Sequence, residues 1–272
     1  MTDRNVSVDG VAVTYTDRGR GPPVLFMHGN PDSRYAWEPL FAELGDGFRC
    51  IAPDFPGFGD SEPFPPGVAL GPALMAGFWD GFIDAAGLHT AVNVVVHDFG
   101  GPWLLPWVAT HPERVRSVFV LNTLFHRDYP WHLWAKIWQT PILGELAMRL
   151  TSRPVLSREM RLHAPGVSRK LVDETYHRMH RTMRRTVLQS YRAYARPGQI
   201  FEGWEEKLLA AFNDLPVRVV WGDRDPYISA RFAERFGVEP IHLPDYGHWA
   251  FLQAPGVVAG YLKEFLSAST VS

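Results

Sequence analysis

The stretch Val94-Val95-Val96-His97-Asp98-Phe99-Gly100-Gly101-Pro102 constrains this chain more than any other. Its continuous apolar, β-branched run has the composition of a strand buried on both faces. That run passes directly into a polar residue, two glycines and then a helical stretch. A tight turn at such a place holds one side chain above the sheet edge, the strand–turn–helix setting of a nucleophile elbow. Serine is the usual occupant of an elbow, and here it is Asp98. The alternative reading of Asp98 on this segment alone is a helix N-cap, a position for which aspartate is favoured.

Around this segment the chain alternates strands and helices. Val11–Thr16, Val24–Met27, Arg49–Ala52, Asn93–Val96 and Ser117–Leu121 read as strands, with helices expected over Trp37–Leu44 and Ala73–Ala86. Val217–Trp221 and Pro240–Leu243 add two strands, and Val257–Leu266 a closing helix. Such alternation predicts an α/β fold, a mostly parallel sheet covered on both sides. The middle, from about Leu124 to Asn213, has no β-branched runs. It carries Trp131, Trp134 and Trp138 and then arginine-rich helical sequence, with ten Arg and one Lys against three acids between Arg153 and Arg196. Tyr176, Met179, Met183, Val187 and Tyr191 recur at helical spacing, which predicts one amphipathic helix with a basic, solvated outer face. An all-helical insertion between two strands of a parallel sheet looks like a lid over the sheet's C-terminal edge. The expected division is a core at 1–123 and 214–272 with a helical cap at 124–213.

Two partners for Asp98 follow in the order nucleophile, acid, histidine. Gly222-Asp223-Arg224-Asp225-Pro226 sets a carboxylate at the end of the strand Val217–Trp221, and Asp245-Tyr246-Gly247-His248-Trp249 puts a histidine in the loop after the last strand. Near the front, Met27-His28-Gly29-Asn30-Pro31 follows a buried strand. Its Asn30 amide can point at Asp98 and, with the amide of Phe99, form an oxyanion hole.

The whole set resembles the α/β-hydrolase fold, in the branch of haloalkane dehalogenases and epoxide hydrolases that uses an aspartate nucleophile. HGNP at 28–31, APDFPGFGDS at 52–61, VVHDFGGP at 95–102, HPERV at 111–115, WGDRDP at 221–226 and GHW at 247–249 carry the likeness along nearly the entire chain. It implies an eight-stranded, mostly parallel sheet with the helical cap inserted before the acid-bearing strand. It also implies that Asp225, rather than Asp223, orients His248 as general base, and that His97 is not the base.

Chemistry points the same way. Serine attacking a saturated carbon would leave an ether that water does not readily cleave, whereas a carboxylate leaves a hydrolysable ester. Alkyl halides and epoxides are therefore the expected substrates, small and apolar or mildly polar, with water as co-substrate. Asn30 matches the halide-binding asparagine of many dehalogenases. The tryptophan they usually place after the nucleophile is here Phe99, so a cap tryptophan, Trp134 or Trp138, is expected to supply the second donor. Tyr191 resembles one of the two cap tyrosines that protonate an epoxide oxygen in epoxide hydrolases; the other aligns near Trp134 and is missing. Asn30 favours the halide over the epoxide. A catalytically idle binding protein on the same fold is the non-enzyme alternative, which the complete set Asp98, Asp225 and His248 disfavours.

Composition narrows the remaining classes. The 272 residues are 46% apolar and carry a net charge of −2, a poor match for nucleic-acid binding. One cysteine, Cys50, excludes an intrachain disulfide and a cysteine metal cage. His177 and His180 stand three apart without a carboxylate to complete a metal site, so no metal and no cofactor are expected, and His180 is expected to face the pocket from the lid stripe. Gly57-Phe58-Gly59 lacks the third glycine of a dinucleotide fingerprint. The start of the chain has no leader pattern and no run approaches membrane-spanning length, so a cytoplasmic protein without a membrane partner is expected.

Overall fold

The computed structural model describes residues 2–269. Eight strands form one sheet: β1 (Thr2–Val8), β2 (Val11–Arg18), β3 (Pro23–Met27), β4 (Arg49–Pro53), β5 (Val92–Asp98), β6 (Val115–Thr123), β7 (Val217–Gly222) and β8 (Ile241–Leu243). Their spatial order is β1-β2-β4-β3-β5-β6-β7-β8. β1 and β2 pair antiparallel, as do β2 and β4, and every other pair is parallel. The seven runs singled out above all form strands, and β1 is the eighth. Central β5 is buried at all seven positions, which is why its sequence reads as an unbroken apolar run.

The helices are α1 (Glu38–Leu44), α2 (Pro72–Ala85), α3 (Gly100–Thr110), α4 (Leu133–Gln139), α5 (Leu143–Leu150), α6 (Arg153–His163), α7 (Arg169–Arg178), α8 (Arg181–Ala193), α9 (Pro197–Ile200), α10 (Trp204–Asp214), α11 (Ala250–Gln253) and α12 (Pro255–Ala268). From β3 the chain steps one way to β4 through α1 and then back past β3 to β5 through α2. Right-handed crossovers in opposite directions place those helices on opposite faces. Accordingly α1 packs with α11 and α12, and α2 with α3, which also packs with α10. The reversal between β3 and β5 opens a crevice beyond their carboxyl ends, the place where open α/β sheets bind ligands.

Between β6 and β7 lie α4 to α10, with no strand among the described residues. The expected single helix through Tyr176 and Tyr191 is corrected here: the chain breaks at Met179-His180 into α7 and α8. His180 caps α8, its Nδ1 accepting the Met183 N–H (3.2 Å), while its Nε2–H donates to the Gly59 carbonyl (2.9 Å). A cap and one tertiary hydrogen bond thus interrupt a periodicity that runs on through the sequence. His180 is engaged with the core loop and does not line the cavity described below, a second correction.

Candidate active site

Asp98 is the last residue of β5 and has φ of 50°, in the left-handed region that favours glycine. An aspartate held there costs about 1–3 kcal/mol, the backbone signature of an elbow. Its carbonyl accepts from the Thr123 hydroxyl, whose oxygen in turn accepts the Gly101 N–H (3.1 Å). Close approach explains the glycines around it. A Cβ on Gly29 would lie 2.5 Å from Asp98 Oδ1, and one on Gly101 would run into the Thr123 hydroxyl.

His248 bridges two carboxylates. Its Nδ1–H donates to Asp225 Oδ2 (2.7 Å), and its Nε2 lies 3.4 Å from Asp98 Oδ2. Burial works against charge on the ring, but Asp225 and Asp98 together lift its pKa to about 10. Burial likewise opposes the Asp98 carboxylate, yet the His248 hydrogen bond and charge hold it below its ordinary value. The two form an ion pair at neutral pH. Asp225 is fixed by the N–H groups of Tyr227 and Ile228 on Oδ1 (2.8 and 3.0 Å) and by Asn122 Nδ2 on Oδ2 (2.9 Å). Asp223 is elsewhere, against His242. His97 donates its Nε2–H to the His248 carbonyl (2.8 Å), and burial lowers its pKa to about 3, so it is a neutral prop beneath the ring.

The turn after β3 is pinned by His28. Its Nδ1–H donates to the Gly29 carbonyl (2.8 Å) and its Nε2 accepts the Phe55 N–H (3.0 Å); burial keeps it neutral, its pKa down to about 4. This turn delivers the Asn30 N–H to Asp98 Oδ1 at 2.7 Å. The other expected donor, the Phe99 N–H, belongs to the N-cap residue of α3, whose first amides have no partner within the helix.

Above Asp98 is a cavity of about 90 Å³ between sheet and cap. Asn30, Asp98 and His248 form its floor, and Trp134, Trp138, Met148, Leu156, Met179 and Tyr191 are among its cap walls. Asn30 Nδ2 lies 3.4 Å from the Tyr191 hydroxyl. Trp138 packs on Tyr191 (4.8 Å between centroids), and its buried indole N–H has no partner among the described residues. Trp134 stacks on Trp138 further out and is half-exposed. Among the described residues no Lys or Arg lines the cavity, so the arginine-rich cap turns its charge outward.

A family model described as the alpha/beta hydrolase fold matches residues 22–255. The chain belongs to the α/β-hydrolase fold family. Haloalkane dehalogenase 2 of Mycobacterium tuberculosis is 28% identical over 279 residues, covering 93% of this chain and 90% of that one. An epoxide hydrolase of Caballeronia sordidicola is 34% identical over 126 residues, 46% of this chain and 38% of the other. Among solved structures, a laboratory-evolved variant of potato epoxide hydrolase superposes with a TM-score of 0.81 at 19% identity, over 98% of this chain and 99% of its own, a likeness of fold. The relatives put this α/β-hydrolase in the branch of haloalkane dehalogenases and epoxide hydrolases.

All the residues singled out from sequence for the reaction therefore surround one cavity or support its floor: Asp98, His248, Asn30, Tyr191, Trp134 and Trp138 line it, with Asp225 and Phe99 directly behind. Four further residues carried no sequence signal that singles them out. His132 lines the cavity, its Nδ1 accepting the Ala135 N–H, and burial lowers its pKa to about 4; the neutral ring thus keeps an Nε2–H donor. Tyr227 and Glu159 close another wall, the hydroxyl donating to Glu159 Oε1 at 2.7 Å. Asp32 accepts the Trp249 indole N–H (3.0 Å), and burial raises its carboxyl to about 6.

Proposed function

We propose that this hydrolase replaces the halogen of a small haloalkane with hydroxyl through an alkyl ester on Asp98. The observation that carries the reading is a carboxylate, not a hydroxyl, at the positive-φ elbow, with His248 3.4 Å from one oxygen and the Asn30 amide on the other. The Asp98 oxygen attacks the sp³ carbon, the carbon–halogen bond breaks, and the halide departs towards the Asn30 Nδ2–H and the unpaired Trp138 indole N–H. Esterification removes the Asp98 charge, one of the two that hold the proton on His248. The ring then releases that proton to solvent, and neutral His248 takes a proton from the attacking water while Asp225 keeps the ring oriented. The hydroxide adds to the Asp98 carbonyl carbon, and the Asn30 and Phe99 amides face the oxyanion. Collapse gives the alcohol and restores the carboxylate, so that haloalkane and water become alcohol, halide and one proton. No step calls for a metal or cofactor.

A division into a core at 1–123 and 214–272 and a cap at 124–213 goes with this proposal. The packing of α10 on α3 favours drawing the last cap residue near Gly203. Epoxide hydrolysis is the second reading, and the Tyr191 hydroxyl beside Asn30 favours it, since burial raises the phenol well above its ordinary range and keeps it a proton donor.

A paired assay separates the two. Halide release from short bromo- and chloroalkanes is measured beside diol formation from styrene oxide and an aliphatic epoxide, with Asp98→Asn as blank. The proposal expects halide release above the blank. Diol formation alone would transfer the leaving-group role to Tyr191, and silence in both arms would favour a binding protein on this fold.

A further inference from the structure

Eight of the nine exposed large apolar side chains among the described residues lie between Leu133 and Leu162. The centre of this patch is α5. Its Gly144 and Met148 are buried against the rest of the cap, yet Ile142, Leu146 and Leu150, spaced four apart along it, stand outside at 83%, 50% and 66% exposure. α5 thus presents apolar side chains to solvent as well as to the cap, a face that a covering surface would bury. Leu133 on α4, which packs with α5, is 71% exposed, and Leu162 at the end of α6 is 62% exposed. Trp134 and Val155 are exposed as well and also line the cavity, so the cavity opens through the patch.

The charges among these side chains have one sign. Residues 133–162 hold five cations and two acids. Both acids are engaged, Glu145 by Arg192 and Glu159 by Tyr227. Arg149, Arg158 and Arg161 are exposed and have no ion pair among the described residues. Arg158 and Leu162 are four apart on α6, and Arg149 is three from Leu146 on α5, so these two arginines each flank an apolar residue, and Arg161 precedes Leu162 in the chain.

We infer that this face of the cap docks peripherally on an anionic lipid surface. The apolar stripe of α5 enters the acyl boundary and the three arginines meet the headgroups, the arrangement of an interfacial helix. A second copy of the same face is the poorer occupant, because a two-fold contact sets the arginines of one copy against those of the other. No helix among the described residues is long and apolar enough to cross a membrane, and a peripheral contact needs none. Since the cavity opens within the docked face, apolar substrates dissolved in the lipid would reach Asp98 without crossing water. The docking does not depend on whether the leaving group is a halide or an epoxide oxygen.

Vesicle co-sedimentation at low salt tests this with the full chain. The probes are phosphatidylcholine vesicles and the same vesicles doped with phosphatidylglycerol. Wild type is expected to bind the doped vesicles and to be released by salt. Neutralising one arginine near such a surface costs about fivefold, so Arg149→Gln/Arg158→Gln/Arg161→Gln should weaken binding on the order of a hundredfold. Ile142→Glu/Leu146→Glu/Leu150→Glu should abolish it, with circular dichroism and melting midpoint unchanged. Sedimentation velocity without lipid should show a monomer at all concentrations. No binding to doped vesicles, equal binding by wild type and the glutamate triple variant, or a wild-type dimer that this variant dissolves would each overturn the inference.

Discussion

Gly29→Ala tests the geometry of the elbow with a single methyl group. Gly29 has no positive φ, so alanine is tolerated by the backbone and the effect is purely one of space. The new Cβ would lie 2.3 Å from Asp98 Cβ, 2.5 Å from Oδ1 and 2.8 Å from Cγ, where ordinary contact begins at 3.4 Å. Asp98 as a whole, carboxylate included, must therefore shift by about 1 Å, out of register with His248 and the Asn30 amide. A misplacement of that size at a reacting atom costs on the order of a hundredfold in rate, and the overpacking costs about 1–3 kcal/mol of stability. The assay is kcat for bromide release on a short bromoalkane, with a thermal melt of the same sample. Gly47→Ala is the control, because its added Cβ meets nothing within 4 Å and its φ is also ordinary. A Gly29→Ala enzyme that melts cooperatively and turns over within about threefold of wild type, well short of that loss, would refute the placement of the reactive carboxylate.

Three further outcomes follow from single features. Trp138→Phe removes the unpaired indole N–H and should lower kcat/KM for bromoalkanes by about tenfold, the worth of one hydrogen bond to an anion; Trp134→Phe, half-exposed and outside it, should change it less than about twofold. Asp32 binds its proton more tightly folded, at about 6, than at its ordinary 3.8, so it penalises the fold above pH 6 and the penalty disappears as pH falls towards 4. Asp32→Asn, which still accepts from Trp249, should stabilise the protein at pH 8 by roughly 1–3 kcal/mol and by much less at pH 4, measured by urea unfolding. Gly77 in α2 and Gly260 in α12 are exposed helix positions where a Cβ meets nothing, so Gly77→Ala and Gly260→Ala should each add about 0.5–1 kcal/mol.

The sequence was most legible where one local pattern sufficed. The Val94–Val96 run, the glycines after Asp98 and the order Asp98, Asp225, His248 each follow from strand burial, tight turning and chain order, and the folded chain brings all three residues together. β1 escaped notice because it is an edge strand paired on one side; Thr2–Val8 holds only two apolar residues and no buried run. The break between α7 and α8 lies within unbroken helical periodicity and depends on the Gly59 carbonyl, 121 residues away. Asp32 and Trp249, 217 residues apart, meet only through the sheet, so neither could be read as the other's partner. Tyr227 and Glu159 likewise join a core loop to α6. Local sequence encodes the elbow, while the cavity walls are products of tertiary packing.

The central claim is the covalent ester on Asp98, and trapping it is the direct measurement. His248→Gln removes the proposed base but leaves Asp98, the proposed nucleophile, and the Asn30 amide in place. Incubated with 1-bromobutane and examined by intact-protein and peptide mass spectrometry, it should gain one butyl group in place of a proton, on the peptide containing Asp98, together with one equivalent of bromide. The doubly substituted Asp98→Asn/His248→Gln protein should gain none. Steady bromide release by wild type with no adduct in His248→Gln, or an adduct on any other residue, would contradict the mechanism.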